Sequence, residues 1–562
     1  MSRPSGARLV AIGILTSRIF GLVRQKAFAW FFGVSAFTDV INTAFRLPNV
    51  LQNLLGEQSL SAAFIPIYSR MVEEGKEEEA RRFAGAIFGL LVAVVSLLVV
   101  LGVLLARPIV TIAAAGFLKD AALVEAGEMA VDRLELAVRA VRIVLPMTGL
   151  LVLSAWCLGI LNSHRRFLLP YMAPVFWNVA IIGMLAFAAF QSGGIGAPGD
   201  AATSVLENWL FAVFWGGLLG GFLQFAVQLP AVFSLLGGFR PSLSLAAPGV
   251  RESLKMFGPA LLGRGVVQLA FYVNVFLASL LAPGAPAALA FAMMLYNLPL
   301  SAFGMSVAAG ELPELSRASP EAAVARVRER LGTAIRQSVF VMAPATCGYL
   351  AFGYLVTWVI YSGGAFTVEH NALVAAVLGA ASLGLIAAAT SRILQNTFFA
   401  LRDTRTPAKI AAVRLFVGAL AGAGLMVILD QYKVGDVFYK LDGSVDLRLG
   451  AVALAFGGAV GDWLELILLR RQLVQRIPGL KLPVAAMTRM FMAALVAALL
   501  LMVVWRILLP RLLAGMGVAL EPGLLVTALV LLPAFAMAYL GTAYRQGWPE
   551  LDYWAGRFLR RG

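Results

Sequence analysis

Residues 83–106 read FAGAIFGLLVAVVSLLVVLGVLLA. The run carries no charge. As a helix rising 1.5 Å per residue it covers about 36 Å, more than the roughly 30 Å of bilayer hydrocarbon. Comparable uncharged runs follow at 172–190 and 491–505. Of the 562 residues, 60% are hydrophobic and 13% charged, with a mean hydropathy of +0.86. A soluble domain holds about 45–50% and about 25%. The apolar excess must therefore face lipid along the whole chain, and no stretch between the runs is long enough to form a soluble domain. In lipid the backbone must satisfy its own hydrogen bonds, which for runs of this length means helices.

The pattern predicts an all-α polytopic membrane protein of about fourteen transmembrane helices. They fall at 9–33, 37–68, 81–105, 132–160, 170–191, 207–236, 251–281, 285–312, 323–361, 371–400, 406–429, 448–475, 486–511 and 522–545. Several exceed the roughly 20 residues a span needs, so they must tilt, kink or extend into water. Pro48, Pro259 and Pro299 are natural kink sites, each removing one backbone hydrogen bond.

The formal net charge is +15. The basic residues form no stripe interleaved with aromatics, so nucleic acid is not the expected partner. They sit in loops on one side: Arg70, Lys76, Arg81 and Arg82, then Arg165 and Arg166, Arg240 and Arg251, Arg402 and Arg405, Arg470 and Arg471. The opposite loops at 192–206 and 362–370 contain no Lys or Arg. The positive-inside rule then places both termini in the cytoplasm. Cys157 and Cys347 lie in apolar runs, and His164 and His370 in predicted loops, so neither a disulfide framework nor a zinc site is expected. Arg18 and Arg24 interrupt the first apolar stretch, which reads as a retained helix and not a signal peptide.

An internal repeat is visible. Pro66, Ser69 and Arg70 recur as Pro313, Ser316 and Arg317, and Leu47-Pro48 as Leu298-Pro299. The offset spans six predicted helices, an even number, so the copies share one orientation. The expected architecture is two pseudo-symmetric six-helix lobes, 1–240 and 241–481, followed by 482–562 with two extra helices and a tail. Transporters are built in this way.

Charges inside the membrane mark the candidate site. Arg18 lies about ten residues into the first span, too deep for easy snorkelling, and Arg24 is six residues further. At 100° per residue the two stand about 120° apart, on the edges of one wide cavity. Arg264 in the seventh span maps onto Arg18 at an offset of 246. A pair of arginines, one from each lobe, suits a diphosphate, because the guanidinium fork matches phosphate oxygens. Arg264 is expected to be the second lobe's intramembrane cation. Asp39, at the outer start of the second span, either tempers this positive field or gates one side; Arg46 and Glu57 share its helix. Asp462 and Glu465, three apart in the twelfth span, face one way. They are candidates for a coupling cation, or for pairing with Arg470 or Arg471.

At these residues the chain resembles the MurJ (MviN) lipid II flippase family of the multidrug/oligosaccharidyl-lipid/polysaccharide exporter superfamily. The resemblance rests on Ser17-Arg18-Ile19-Phe20-Gly21-Leu22-Val23-Arg24, Thr38-Asp39, Phe45-Arg46-Leu47-Pro48-Asn49, Gly56-Glu57 and Ala62-Ala63-Phe64-Ile65-Pro66. Looser matches follow at Gly258-Pro259-Ala260 and from Phe399 through Arg402-Asp403-Thr404 to Pro407. It covers nearly the whole length.

The resemblance implies a flippase, not an enzyme, of the bacterial inner membrane. Its cargo would be lipid II, the undecaprenyl-diphosphate-linked disaccharide pentapeptide, moved from the inner to the outer leaflet by alternating access. It implies substrate contact by Arg18 and Arg24; Gln52 and Asn53 on the neighbouring helix are further substrate-binding candidates. It also implies a groove for the polyprenyl tail around 486–545. No cofactor is implied; a coupling cation and the membrane potential both stay open as the energy source. Membrane lipids and cell-wall synthesis proteins are the expected surroundings. Two departures matter. Many members carry Arg where Gln52 stands and Arg where Met294 stands, and Arg264 is expected to restore some of that charge. Sodium sites in some members use acids or amides in the eleventh helix, and 406–429 has none.

Competing readings are another lipid-linked oligosaccharide or a cation-coupled drug as cargo, a polyprenyl-phosphate glycosyltransferase, and a scaffold. An enzyme would need clustered acids at the membrane surface. The run from Glu73 to Glu79 looks instead like a solvated helix start. A scaffold would leave buried arginines without purpose.

Overall fold

The computed structural model describes residues 6–56, 60, 63–193, 198–308, 320–401, 403–437, 447–477, 482–505 and 520–559. The described residues are helical almost throughout and contain no strand beyond isolated bridges. In chain order the first helices are α1 (Gly6–Phe32), α2 (Ala36–Leu55), α3 (Ile65–Glu73), α4 (Glu77–Leu104), α5 (Ala106–Ala113) and α6 (Asp120–Glu125). Then come α7 (Arg133–Ser163), α8 (Leu168–Gln191), α9 (Thr203–Ala226), α10 (Leu229–Leu236), α11 (Val250–Ser279) and α12 (Ala285–Ala308). The rest are α13 (Pro320–Tyr361), α14 (Val368–Ser382), α15 (Leu385–Ala400), α16 (Arg405–Leu429), α17 (Val434–Val437), α18 (Gly450–Arg476), α19 (Val484–Val503), α20 (Leu520–Arg545) and α21 (Pro549–Leu559).

Among the described residues nine helices are long and apolar enough to cross a membrane, and ten if α14 and α15, which meet at a 44° bend, form one span. The protein is a multi-span membrane protein, but this criterion does not reach the expected fourteen. The expected span 37–68 is broken around Gly56 and 371–400 bends at Leu383–Gly384, whereas 207–236 stays one span with a local irregularity at Val227–Gln228. Short helices at 106–125 and the terminal helix α21 were not anticipated.

The helices divide into two compact units. The first holds Met1–Ala287 with Gly363–Phe366, and the second Ala288–Ser362 with Thr367–Gly562. The first unit therefore extends past the repeat boundary at 240 and includes α11.

Local chemistry sets the helix ends. Asp132 accepts from the N–H groups of Leu134 and Glu135 and starts α7. Thr367 and His370 form a reciprocal capping box that starts α14. His370 thus has a structural task, and His164 meets the Tyr68 hydroxyl at 3.0 Å. In the first unit Phe64 stacks on both Tyr68 and Phe83 at 5.2 Å, next to buried Trp156.

Helix packing follows small residues. A Cβ on Gly457 would fall 2.5 Å from the Gly422 Cα, and one on Gly461 would fall 2.9 Å from the Arg414 carbonyl oxygen. So α16 and α18 touch backbone to backbone along Gly418-x-x-x-Gly422 and Gly457-x-x-x-Gly461. The other side of α16 presents Phe416, Leu420 and Val427 outward, exposed as lipid-facing residues are.

Candidate functional site

In the first unit α1 lies against α8, because a Cβ on Gly13 would come within 2.6 Å of the Tyr171 Cβ. Arg18 stands five residues, about one and a half turns, further along, on the wall of a cavity of about 440 Å³. Ser17, Gln52, Ser154, Tyr171 and Gln224 add polar groups, and no Asp or Glu lines it. Two expected site residues, Arg18 and Gln52, are thus brought together in a polar cavity with a net positive wall.

Arg24 does not line that cavity. It sits further along α1 with its guanidinium 4.5 Å from the centre of the Trp177 ring and 5.8 Å from Phe28. Trp177 is fixed from several sides. A Cβ on Gly220 would fall 2.8 Å from its Cα, Phe45 meets its ring edge-on at 5.7 Å, and its Nε1 donates to Met147 Sδ at 3.2 Å. The ring satisfies the face of the Arg24 cation. The donors on its edge are a different matter: Nε and Nη1 are buried and have no hydrogen-bond partner among the described residues. Burying a donor without an acceptor costs free energy, more so for a charged group. An anion arriving at that edge would recover it.

Asp39 lies elsewhere, wholly buried. Its Oδ2 accepts from Arg133 Nη1 at 3.1 Å and from the Gly284 N–H at 2.7 Å, and its Oδ1 accepts from the Ala287 N–H at 2.9 Å. Arg133 also holds Asp120 through Nε and Nη2, at 2.6 and 3.0 Å. Asp39 is therefore taken up by Arg133 and by the first turn of α12, and does not face the Arg18 cavity. Arg46 is half-buried and Asn53 exposed on α2, outside the cavity lining. Glu57 and the Arg264 side chain lie outside the described residues; the Arg264 backbone is part of α11. Met294 is half-buried on α12.

The second unit carries cations that the sequence reading overlooked. Arg414 on α16 donates to Glu465 at 3.1 Å and lies 2.9 Å from Asp462. The glycine contact explains this, since Arg414 is one turn before Gly418 and Glu465 one turn after Gly461. The partner of the two acids is thus neither Arg470 nor Arg471. A guanidinium already stands where a coupling cation was considered, and among the described residues no group of three or more His, Cys, Asp or Glu side chains could hold a metal ion. Gln395 donates to Glu465 at 2.7 Å and Tyr296 to Asp462 at 3.3 Å. Tyr296, Gln395, Arg414 and Glu465 border a cavity of about 230 Å³ that Arg392 also lines, with Asp462 behind Arg414. Arg264 is accordingly not the second lobe's only intramembrane cation. Arg392 and Arg414 each interrupt an apolar run, the same signal that singled out Arg18.

Long apolar helices in two units, with arginine-bearing polar cavities inside them, define a membrane transporter. Solved structures agree on the fold. One described as "Lipid II flippase MurJ, inward closed conformation" superposes with a TM-score of 0.66 at 19% identity, covering 96% of this chain and 99% of that one. A multidrug resistance MATE family transporter of the MOP superfamily gives 0.58 at 14% identity, covering 84% of this chain and 98% of that one. The chain belongs to the family described as "Lipid II flippase MurJ", whose model matches residues 28–527. The lipid II flippase MurJ of Burkholderia cenocepacia is 29% identical over 470 residues, 83% of each chain. The probable lipid II flippase MurJ of Rhizobium meliloti is 29% identical over 467 residues, 82% of this chain and 79% of that one. Membership makes the protein a transporter and not an enzyme.

Proposed function

We infer that this chain moves lipid II from the cytoplasmic to the outer leaflet of the bacterial inner membrane by alternating access. The carrying observation is Arg24, held by its face on Trp177 with buried edge donors that lack an acceptor among the described residues. Together with Arg18 on an acid-free wall, it supplies what a diphosphate head group needs on leaving water. Arg264 and Arg46 remain further head-group contacts in this reading, with Asn53 and Glu57 at its border.

The membrane potential is the energy source best supported, because Arg414 already occupies the acid pair considered for a coupling cation. Carrying two negative charges outward, down an interior-negative potential of 100 mV, releases about 5 kcal/mol. The loop charges support cytoplasmic termini. Exposed apolar side chains such as Leu499, Leu500, Leu529 and Val530 on α19 and α20 support a surface for the polyprenyl tail. Enzymes that polymerise the flipped precursor are the natural protein partners.

The test is replacement of a conditional lipid II flippase by this chain, with externalised lipid II as the readout. Growth without externalisation, or no growth at normal expression, would overturn the assignment of cargo.

A further inference from the structure

The cavity of the second unit differs in charge from that of the first. Two basic groups, Arg392 and Arg414, stand with two acids, Asp462 and Glu465, for a formal sum near zero. The charges are not evenly used. Arg414 is shared between both acids, whereas Arg392 is exposed on the cavity wall and makes no hydrogen bond or ion pair with any described residue. It stands in the middle of α15, with Ala388 and Gln395 on the same cavity-facing side. Eight residues separate it from the helix end, about 12 Å of rise, so its charge is met inside the cavity, where Asp462 attracts it from beyond ion-pair distance and its donors stay open to water or a ligand. Across from it Asn297 donates through Nδ2 to the Met293 carbonyl at 2.8 Å, which leaves its Oδ1 as an acceptor.

We propose that this cavity binds a carboxylate of the cargo's peptide on the Arg392 guanidinium. One free fork matches one monoanion bidentately. A diphosphate fits poorly, because Glu465 borders the same space and the local charge is already balanced. A peptide carboxylate has an adjacent N–H, which the Asn297 carbonyl oxygen is placed to accept. The proposal rests on the lipid-linked peptide reading above, and it makes Arg392 a binding residue for the peptide, not for the diphosphate.

The experiment uses the full-length protein in proteoliposomes and two probes: lipid II with free stem-peptide carboxylates, and lipid II with every carboxylate amidated. The wild type should bind the free acid about tenfold more tightly, the worth of one charge-assisted contact. Arg392→Gln should lower free-acid binding about tenfold, change amidated binding less than about twofold, and melt as the wild type does. Arg392→Lys should recover part of the preference. If wild type binds lipid II but Arg392→Gln weakens both probes equally, or neither, the carboxylate site is wrong and the cargo stands. If wild type binds neither probe, the cargo reading fails, and this proposal with it.

Discussion

Arg133 Nη1 lies 3.1 Å from Asp39 Oδ2, and neither side chain has any exposed surface. The same guanidinium is bidentate to Asp120, so one buried cation serves two buried anions. Two backbone N–H groups, from Gly284 and Ala287, supply the remaining compensation to Asp39. Arg133→Met would leave two carboxylates without their shared cation in a dry site, at a cost of about 3–5 kcal/mol. Asp39→Asn keeps the shape, and Arg133 keeps Asp120, so its cost should be smaller. Thermal melting in detergent should rank Arg133→Met below Asp39→Asn and both below wild type. Equal melting of all three would show that the triad is solvated and that its burial is misjudged.

Arg24 gives the opposite sign. Its edge donors are unpaired among the described residues, so replacing it with Met removes an unsatisfied buried charge and loses the contacts with Trp177 and, more weakly, Phe28, worth about 1–2 kcal/mol. Arg24→Met should melt no lower than wild type, yet fail to support lipid II externalisation. Arg24→Lys should rescue partly, since an ammonium lacks the fork. A variant that flips normally would return Arg24 to a packing role.

Much of this was legible in the sequence, for identifiable reasons. Uncharged runs of about twenty residues or more fixed where helices stand, because a continuous apolar run satisfies its backbone in lipid only as a helix. Arg18 and Gln52 reach one cavity because helix periodicity and the early motif already place them. The buried partnerships were not legible. Asp39 meets Arg133 across 94 residues, and Arg414 meets Glu465 across 51, and local spacing carries no information about either. The glycine pairs 418/422 and 457/461 were a readable sign that α16 and α18 touch. Reading them would have put Arg414, not Arg470, beside the acids.

Asp403, in the loop before α16, is a surface case with a pH signature. Its carboxylate accepts from Thr406, through side-chain and backbone hydrogen bonds, and Arg476 stands 2.6 Å away; together these hold its pKa down to about 2. The folded value lies below the unfolded one of about 3.9. The stabilisation is therefore complete above about pH 4 and is lost as pH falls toward 2. Cysteine labelling in this loop should be pH-independent from neutral down to about pH 4 and increase below it. Asp403→Ala should raise labelling at all pH values and cost about 1 kcal/mol as a lost helix cap. Labelling that rises already near pH 5 in the wild type would contradict the depressed value.

The last prediction concerns the acid pair in the second unit. Asp462 and Glu465 are nearly inaccessible, with side-chain exposures of 8% and 1%, and Arg414 is their shared cation. If that guanidinium does the work of a bound metal ion, exchanging sodium for potassium should leave the melting of the wild type unchanged. Arg414→Ala removes the cation and opens room beside both carboxylates. It should lose stability, though less than the about 3–5 kcal/mol of a fully buried pair, because the Arg414 side chain is 44% exposed. It should also become sodium-sensitive, because a small cation binding only the folded state stabilises it by mass action. Replacing all three residues with Leu removes the buried charges together, and such replacements are often close to neutral. Most glycine contacts between α16 and α18 are with backbone, and of these three side chains only the Arg414 Cγ stands beside Gly461, an aliphatic contact that Leu can keep, so the triple variant should melt well above Arg414→Ala. Sodium stabilisation of the wild type that disappears in Asp462→Asn would mean the pair binds a cation beside Arg414. The potential would then not be the only energy source to consider.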